Sequence, residues 1–261
     1  MSIRCLRSLT IITFLLVIPA LQLQAQEDVL ERLNIKVMNL YNAGKYQEAL
    51  APAEEAVKLA EEKFGLYNHG VAVFMTNLAL VYQANHMPDK AEIAFLKALE
   101  IHEKLFGDKD ENLFIDLDNL VIFYYLESDY PEAEKYAERS LALKEYLIGR
   151  DSPEIASSLY MLANIYTLQG KHADSEREYS RLIDVIEKAL GPEHPDIAKI
   201  LCEYAEVHRA QEKYSSAVSS YERAISITEK TEGKDSKALP PMFKDLAKVR
   251  KKMEELKGKD R

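Results

Sequence analysis

Residues 150–191 read RDSPEIASSLYMLANIYTLQGKHADSEREYSRLIDVIEKALG and are the clearest of several similar segments in the chain. Over residues 155–166, apolar side chains recur at the three- and four-residue spacing of an amphipathic helix. A break at Gly170 separates them from a second helical pattern over residues 179–190. Gly191 follows, where a helix commonly ends on a residue in the left-handed conformation that glycine adopts without strain. The segment therefore predicts a helix, a turn, a second helix and a stop.

The stop signal of this segment recurs at a fixed period of 42 residues. Five of the chain's nine glycines lie on that lattice: Gly65, Gly107, Gly149, Gly191 and Gly233. Three residues after each glycine stands a residue at the expected start of the next helix: Asn68, Asp110, Ser152, His194 and Ser236. All but the histidine are good N-cap types, whose side chains accept hydrogen bonds from the free amides of a helix start. A fixed period of this length indicates a repeat protein.

Small side chains repeat in phase with the glycines. One column contains Val37, Ala79, Val121, Ala163, Ala205 and Ala247, and a second contains Ala49, Ala91, Ala133, Ser175 and Ala217. Small residues let two antiparallel helices approach closely, whereas large ones such as Tyr124 and Tyr166 fill the gaps between repeats. The turn of the second repeat, at residues 86–88, lacks the glycine or tyrosine of the other turns, and we expect it to be irregular.

These segments resemble the tetratricopeptide repeat in its 42-residue form, as in kinesin light chains. The residues that carry the resemblance are NLALVYQANHMPDKAEIAFLKALE (77–100) and ALGPEHPDIA (189–198). The resemblance implies an all-α fold, a right-handed superhelical α-solenoid of five helix-turn-helix units followed by a C-terminal capping helix. We expect a solenoid over residues 26–238, with repeats at about residues 28–65, 66–107, 108–149, 150–191 and 192–233, and a capping helix with a basic tail over residues 239–261.

The first 25 residues differ from the rest of the chain. Arg4 and Arg7 precede an apolar run over residues 9–21, and Ala25 follows at a small-residue cleavage position. This pattern predicts a cleavable signal peptide at residues 1–25, and the apolar run is shorter than the roughly 20 residues that span a bilayer. We expect an exported protein, periplasmic or secreted, with no stable membrane span after cleavage. A retained membrane anchor is the alternative.

Charge and cysteine content limit the partners. The net charge of −9 disfavours broad binding to nucleic acid, although residues 241–261 are locally basic, with eight Lys or Arg and four Asp or Glu. Cys202 is the one cysteine outside the predicted signal, so no disulfide within the mature chain is expected. We favour a packing role for Cys202 at the edge of the core. A bridge to a second molecule is the alternative, and a homo-oligomer stays open.

No catalytic signature stands out in the sequence. None of the six histidines forms a pair four residues apart, and the glycine- and serine-containing motifs of nucleotide-binding loops and hydrolases are absent. Acidic residues are abundant, but most fall on the solvent side of the predicted helices. We therefore expect a protein that is not an enzyme, with no cofactor and no metal site.

The resemblance implies that the first helix of each repeat lines a concave peptide-binding groove. The positions that correspond to this groove are Asn34, Met38, Tyr41, Thr76, Asn77, Leu80, Gln83, Asp118, Asn119, Ile122, Tyr125, Tyr160, Asn164 and Arg209. We favour Asn77 and Asn119 as ligand contacts, because a carboxamide can donate to and accept from the backbone of an extended peptide. In the alternative interpretation, these two side chains bond a neighbouring repeat or water.

Taken together, these features predict an exported, non-enzymatic adaptor that binds an extended segment of a partner protein in its groove. The export signal, the repeats and the lack of catalytic motifs support this interpretation. The alternative is a structural or assembly subunit of the cell envelope, which would act through self-association or through its convex face.

Overall fold

The computed structural model of the protein describes residues 29–259, with side chains up to residue 257. Every regular element in that range is helical, and residues 29–259 contain no strand. The predicted signal peptide at residues 1–25 lies outside the described residues. The described residues divide into two compact units, with the boundary between residues 108 and 109, where the sequence predicts a single solenoid. Repeats contact mainly their neighbours, so distant parts of a repeat chain do not share one core.

The first unit contains two helical hairpins over its described residues. Its helices are α1 (29–42), α2 (Tyr46–Phe64), α3 (His69–Ala84) and α4 (Pro88–Phe106). Helix α3 packs against both α2 and α4. One buried cluster joins all four helices and contains Leu30, Ala60, Val71, Ala72, Ala98 and Ile101. A second cluster joins the first three helices through Val37, Ala49, Ala53, Val57, Leu78 and Val81.

The second unit contains three hairpins and one further helix over its described residues. Its helices are α5 (Leu113–Leu126), α6 (Tyr130–Ile148), α7 (Ala156–Leu168), α8 (His172–Leu190), α9 (Pro195–Ala210), α10 (Tyr214–Glu232) and α11 (Leu239–Lys259). A short 3-10 turn at Pro153–Ile155 precedes α7. Each helix packs against the helix that follows it in the chain. The predicted all-α fold of helix-turn-helix units with a C-terminal capping helix is confirmed.

The periodic small residues lie where the helices meet. All five members of the second column are fully buried: Ala49, Ala91, Ala133, Ser175 and Ala217. The first column is buried as far as Ala205 and becomes exposed at Ala247, on α11. Small side chains at these positions let the two helices of a hairpin approach each other closely. In the first column, a buried member therefore marks a helix face that another helix covers, and the exposed Ala247 marks a face of α11 that is not covered.

The five predicted helix starts, all within the described residues, are built by the same hydrogen bond. The side chains of Asn68, Asp110, Ser152, His194 and Ser236 each accept a hydrogen bond from the backbone amide two residues further on, at 2.8, 2.9, 3.4, 3.3 and 3.2 Å. His194 accepts through Nδ1, although histidine is not a usual N-cap residue. These side chains satisfy amides that the helix itself leaves free.

The first helix of every hairpin ends in the same way, including the turn expected to be irregular. The residues that follow these helices have positive φ angles of 71°, 56°, 63°, 72° and 58°: Gly44, His86, Ser128, Gly170 and Glu212. In each case the next amide bonds a carbonyl five residues back, as Met87 bonds Tyr82 and Lys213 bonds His208. This is the Schellman motif, which satisfies the last carbonyls of a helix. The expectation for residues 86–88 was therefore wrong.

The 42-residue glycines end the second helices with a different backbone. Their φ angles run from 77° at Gly65 to 93° at Gly149, but their ψ angles are extended, 161° at Gly65 and 158° at Gly191. The prediction of a left-handed helical conformation for these glycines is therefore correct in the sign of φ but wrong in ψ. Positive φ with extended ψ is a region that essentially only glycine occupies. This requirement explains why no asparagine replaces glycine on the lattice.

Candidate functional site

The predicted groove residues lie on the first helices of the hairpins. In the first unit they belong to α1 and α3, and in the second unit to α5, α7 and α9. Partly buried hydrogen bonds tie the ends of α7 and α9 to the second helix of the preceding hairpin: Gln169 donates to the carbonyl of Tyr130 on α6 and Gln211 to that of His172 on α8, each at 3.0 Å. We call the open face of α5, α7 and α9 the first-helix wall of the second unit.

Asn77 bonds another predicted groove residue in the first unit. Its Nδ2 donates to Oδ1 of Asn34 at 2.9 Å, and both side chains are half-buried. This bond is the alternative that the sequence left open, a contact with a neighbouring repeat. The bond uses one of the two N–H donors of the Asn77 carboxamide. The second N–H and the carbonyl oxygen are not used in this bond.

The other candidates of the first unit differ in how open they are. Met38 is exposed and Leu80 half-buried, so both offer apolar surface. Thr76 donates its hydroxyl to the carbonyl of Ala72 at 3.1 Å, within its own helix. Gln83 Nε2 is buried and has no hydrogen-bond partner among the described residues. An unsatisfied buried donor costs about 1–3 kcal/mol, so an acceptor at this position would stabilise the site.

Tyr41, the remaining candidate of the first unit, packs against Tyr46 edge to face, with ring centroids 5.2 Å apart. Burial raises the pKa of its hydroxyl above the ordinary value. The phenol is therefore a neutral hydrogen-bond donor at physiological pH, with its ring held at the end of α1.

In the second unit, Asp118 is part of an ion pair beneath the wall. Its carboxylate accepts from Lys144 Nζ at 2.6 and 2.9 Å and from Ser140 Oγ at 2.6 Å. Lys144 is buried and also donates to Ser158 Oγ at 2.9 Å. The pair joins α5, α6 and α7, because these residues come from all three helices. Asp118 therefore stabilises the packing of these helices, in addition to its position on the wall.

A small cavity opens beside this pair. Its volume is about 110 Å³, and the residues that line it are Asp118, Val121, Ile122, Ala137, Ser140, Ser157, Ser158 and Met161. Ile122 is 44% exposed at the wall, so apolar surface is available there. A 150 Å³ apolar cavity can hold benzene, whereas small-molecule sites span about 300–1,000 Å³. The cavity therefore has room for one aliphatic side chain.

Further along the wall, α7 and α9 are tied by tyrosine hydroxyls. Tyr160 donates to Glu203 Oε1 at 2.9 Å. Tyr179 donates to Glu203 Oε2 at 2.9 Å, and its hydroxyl lies 2.8 Å from Asn164 Oδ1. Burial, chiefly, raises the pKa of both phenols, so they remain protonated donors. Tyr160 and Tyr179 meet edge to face at 6.4 Å.

The two remaining candidates of α5 present a carboxamide and a phenol. Asn119 is half-buried and lies three residues before Ile122, so these two residues share one face of the helix. Tyr125 is half-buried and contacts the ring of Tyr130 at 6.1 Å, which orients it at the end of the helix. Together with Ile122 they make the α5 part of the wall mostly apolar and neutral.

Arg209, the last of the predicted groove residues, and Lys248 on α11 are both paired within the second unit. Arg209 donates to Glu206 Oε2 through Nε at 2.8 Å, and Tyr221 donates to Glu206 Oε1 at 2.6 Å. Lys248 donates to Asp245 at 2.6 Å. Hydrogen bonding to Glu206, chiefly, raises the pKa of Arg209. A carboxylate beside each of these cations reduces the attraction of the wall for an acidic ligand.

Sequence reasoning missed Lys144, Ser158 and the role of Tyr179. Lys144 shares its 42-residue column with Ile186 and Thr228, where a charged residue stands out. That contrast was the available signal. The partner across three helices was not readable, because Asp118 lies 26 residues away in the chain.

Within residues 29–259, no three His, Cys, Asp or Glu side chains are grouped so that they could hold a metal ion. No helix in that part of the chain combines the length and the apolar character needed to cross a membrane.

Comparison with known proteins identifies the repeat. The family model described as tetratricopeptide repeat matches residues 33–104, 70–145, 113–184 and 154–230, which together cover most of the chain. No curated protein matches the chain.

Solved structures show the same fold at low sequence identity. A structure of nearly identical TPR-like repeats, described as from a kinesin light chain of Podosopora anserina, is 20% identical, with a TM-score of 0.69 over 79% of this chain and 97% of that one. BtubC (BKLC) from P. vanneervenii is 19% identical, with a TM-score of 0.66 over 79% and 82%. MamA protein is 13% identical, with a TM-score of 0.58 over 80% and 96%. At these identities the likeness concerns the fold.

Proposed function

Because the chain belongs to the tetratricopeptide repeat family, we propose that it is an exported, non-enzymatic adaptor that binds an extended segment of a partner protein. Tetratricopeptide arrays share a shape and not a ligand, so the specific contacts come from the residues of this chain. The binding surface we assign is the first-helix wall of the second unit, with α1 and α3 of the first unit as an additional surface of the same chemistry.

The observation that carries this proposal is the 110 Å³ cavity beside Ile122. An apolar opening of this size on a helix face fits an aliphatic side chain of a partner. Ile115 and Leu126, on the same helix as Ile122, are 70% and 63% exposed. Apolar residues on one helix face of a monomer, beside a pocket, mark an interaction site. The partner segment therefore places one aliphatic side chain in the cavity and runs along this stripe.

Polar groups along the wall suit a peptide backbone. Asn119 on α5 follows the cavity-lining Asp118 in the sequence and presents a carboxamide, and Tyr160 on α7 precedes the cavity-lining Met161 and is 37% exposed. In the first unit, Gln83 offers a donor that has no partner among the described residues. Backbone amides and carbonyls satisfy such groups irrespective of sequence, while the cavity selects the side chain. Binding of this kind needs no catalytic group and no cofactor.

Export is supported by the sequence of residues 1–25. Electrospray mass measurement of the protein purified from its own source tests it, because cleavage after Ala25 gives a chain that begins at Gln26. Recovery of that chain in the periplasmic or secreted fraction is the expected result. A protein that keeps residues 1–25 and stays within the cell would contradict export without touching the binding proposal.

Binding is tested by affinity capture with the mature chain 26–261 from the exported fraction of its source. The variant Ile122→Asp places a charge at the mouth of the cavity and is expected to lose the partner that the native chain retains. Ile93→Asp is the matched control, because Ile93 is 69% exposed on α4, a second helix. Equal capture by all three chains would contradict the assignment of the wall.

The alternative function is a structural or assembly subunit of the cell envelope. Exposed apolar residues near the ends of α6 and α8 favour it: Tyr146 at 66% and Leu190 at 56%. A bridge through Cys202 is disfavoured, because the thiol packs against the core of the second unit. Burial, chiefly, raises the pKa of Cys202 to about 11, which leaves little thiolate at neutral pH.

Sedimentation of the mature chain over a wide concentration range separates the two functions. A monomer that still captures a partner supports the adaptor. Self-association that Tyr146→Asp removes, with no partner captured, supports the assembly subunit.

A further inference from the structure

Helix α11 has the buried face of a first helix. Leu239, Leu246 and Val249 pack into one cluster with residues of α9 and α10, and Met242 lies partly buried against it. The spacing of these four residues follows one helix stripe. Forty-two residues earlier, Ile197 and Val207 on α9 are buried in the same way. Helix α11 therefore occupies the position of the first helix of a sixth hairpin.

The neighbouring stripe of α11, one residue further along and about 100° around the helix, is open. Phe243 and Ala247 correspond, after subtraction of the 42-residue period, to Leu201 and Ala205 on α9. Leu201 is 3% exposed and Ala205 fully buried, whereas Phe243 is 47% exposed and Ala247 is also exposed. The sequence thus keeps an aromatic and a small residue at positions that a second helix covers in the preceding hairpin.

We propose that the stripe of Pro240, Phe243, Ala247 and Arg250 on α11 is a docking surface for one antiparallel amphipathic helix of a partner protein. This surface lies on α11 and stands independently of the peptide-binding wall. We call it the α11 face.

The neighbouring hairpin shows what kind of element covers such a face. Helix α10 lies against α9, and the fully buried Ala217 and Ala205 share one cluster with Tyr221. Small residues in the covering helix recur in every hairpin, at the column of Ala49 and Ala217. A helix that covers the α11 face therefore needs a small residue opposite Ala247 and a large apolar residue one turn further on.

Charge sets the orientation and the composition of that helix. Arg250 is exposed at the carboxyl end of the face and is held by an ion pair with Glu222 of α10. Lys251 follows, with a side chain 80% exposed. An antiparallel helix places its first turns beside these cations. Arg250 pairs with Glu222 and Lys251 lies 4.0 Å from Glu255, but residues 248–257 carry five Lys or Arg against two Glu, so this end of α11 keeps a net positive charge. That net charge and the partner helix's own dipole favour acidic residues in those turns. The partner helix is therefore acidic at its start.

The test uses a synthetic peptide that copies α10, the helix that packs against α9 in the preceding hairpin. An acetylated and amidated peptide with the sequence of residues 214–232, YSSAVSSYERAISITEKTE, copies α10. A second peptide carries Ser215→Glu and Ser216→Glu, and a third carries Ala217→Arg. Fluorescence anisotropy measures their binding to the full mature chain. We expect the acidic peptide to bind most tightly, roughly three- to tenfold above the α10 copy at low salt. The Ala217→Arg peptide loses at least about tenfold, because arginine cannot pack against Ala247.

Variants of the chain locate the binding. Phe243→Asp and Ala247→Arg change exposed residues, so the fold is expected to survive, and each should weaken the acidic peptide by at least about tenfold. Ile93→Asp, at an exposed position of α4 outside both proposed surfaces, is the control and should leave binding unchanged.

Three results would overturn the proposal. The first is no binding of the acidic peptide, and the second is equal binding to the native chain and the α11 variants. The third is a dimer of the native chain that Ala247→Arg dissociates, because a second copy would then occupy the face. In contrast, loss of partner capture in Ile122→Asp with unchanged peptide binding at α11 would separate this surface from the wall.

Discussion

Lys144 on α6 donates to both carboxylate oxygens of Asp118 on α5, at 2.6 and 2.9 Å, directly beneath the proposed binding wall. The lysine side chain is 8% exposed and the aspartate side chain 44% exposed. The cation is therefore the buried partner and the anion the one that water reaches. Since Ser158 of α7 also accepts from Lys144, the pair fixes three helices around the cavity.

The two halves of this pair should not be equally replaceable. Asp118→Ala leaves Lys144 buried without its counter-ion and is expected to lower the free energy of unfolding by about 3 kcal/mol. Lys144→Met keeps the volume and leaves an aspartate that water can solvate, so the loss should stay below about 1 kcal/mol. Urea denaturation followed by circular dichroism measures both. Lys135→Met, which removes an exposed pair with Glu132, is the control for a lost surface charge. Equal losses for the two buried variants would contradict this asymmetry.

Glu212 is expected to be a poor residue at its position. Its φ of 58° places it in the left-handed region, where Gly44 and Gly170 stand in other repeats. A left-handed backbone costs a residue with a Cβ roughly 1–2 kcal/mol, and replacement by glycine removes this cost. Glycine also gives the unfolded chain more conformational entropy, which cancels part of the gain in stability. Glu212→Gly should therefore raise the free energy of unfolding by about 0.5–1 kcal/mol, measured by thermal and urea unfolding. Gly170→Ala is the reverse experiment and should lower it. A destabilised Glu212→Gly variant would show that the strain is absent.

Gly191 should tolerate alanine less well than its open surroundings suggest. A Cβ built at this position meets nothing within 4 Å, so a steric clash with neighbours is excluded. Its φ of 90° and ψ of 158° are nevertheless available essentially only to glycine. Gly191→Ala is expected to lower the free energy of unfolding by about 1–3 kcal/mol. A neutral substitution would mean that the turn after α8 can adopt another backbone at no cost.

The sequence predicted the parts of this fold that depend on local and periodic signals. The N-caps of Asn68 and Ser152 and the burial of Ala133 follow from residue type and the 42-residue register. The left-handed residues His86 and Ser128 share the register of Gly44, yet the sequence around His86 made the second repeat's turn look irregular. Residue type misled the prediction here, because the Schellman bonds of the helix end hold these residues in place.

The sequence predicted which positions of the repeat contribute to the candidate site, but not which side chains contact each other there. The groove columns were assigned from the resemblance, and the first helices carry them. The bond between Asn77 and Asn34 joins residues 43 apart, and the pair of Lys144 and Asp118 joins residues 26 apart. Such bonds depend on side-chain geometry across helices, which no spacing within one helix determines. The cavity beside Ile122 arises from the same packing.

His208 should make the second unit sensitive to acid. Its side chain is buried between Glu176, with Nε2 3.5 Å from Oε1, and Ser220, and its ring lies 4.1 Å from that of Tyr204. Burial, chiefly, lowers its pKa below the ordinary value of 6.5; Glu176 opposes this shift and Lys213 adds to it. The unfolded chain then binds the proton more readily than the folded one. Stability that is complete above pH 6.5 is therefore lost as the pH falls towards the lower folded pKa.

Comparison with His208→Gln checks this dependence. The free energy of unfolding of the native chain should fall more steeply between pH 7.5 and 5 than that of the variant, because glutamine does not titrate. His86→Gln, an exposed turn residue in the first unit, serves as the control and should keep the native slope. If the free energy of unfolding changed with pH equally in the native chain and in His208→Gln, His208 would not be the cause of the acid sensitivity.

The most direct test of the binding wall is photo-crosslinking from a single position. A benzophenone amino acid at position 122, in the cavity mouth on α5, is activated in the exported fraction of the protein's own source. The same group at position 93, on α4, provides the control. The account predicts one partner protein crosslinked from position 122 through a segment that contains an aliphatic residue, and none from position 93. Identical products from both positions, or products from position 93 alone, would contradict it.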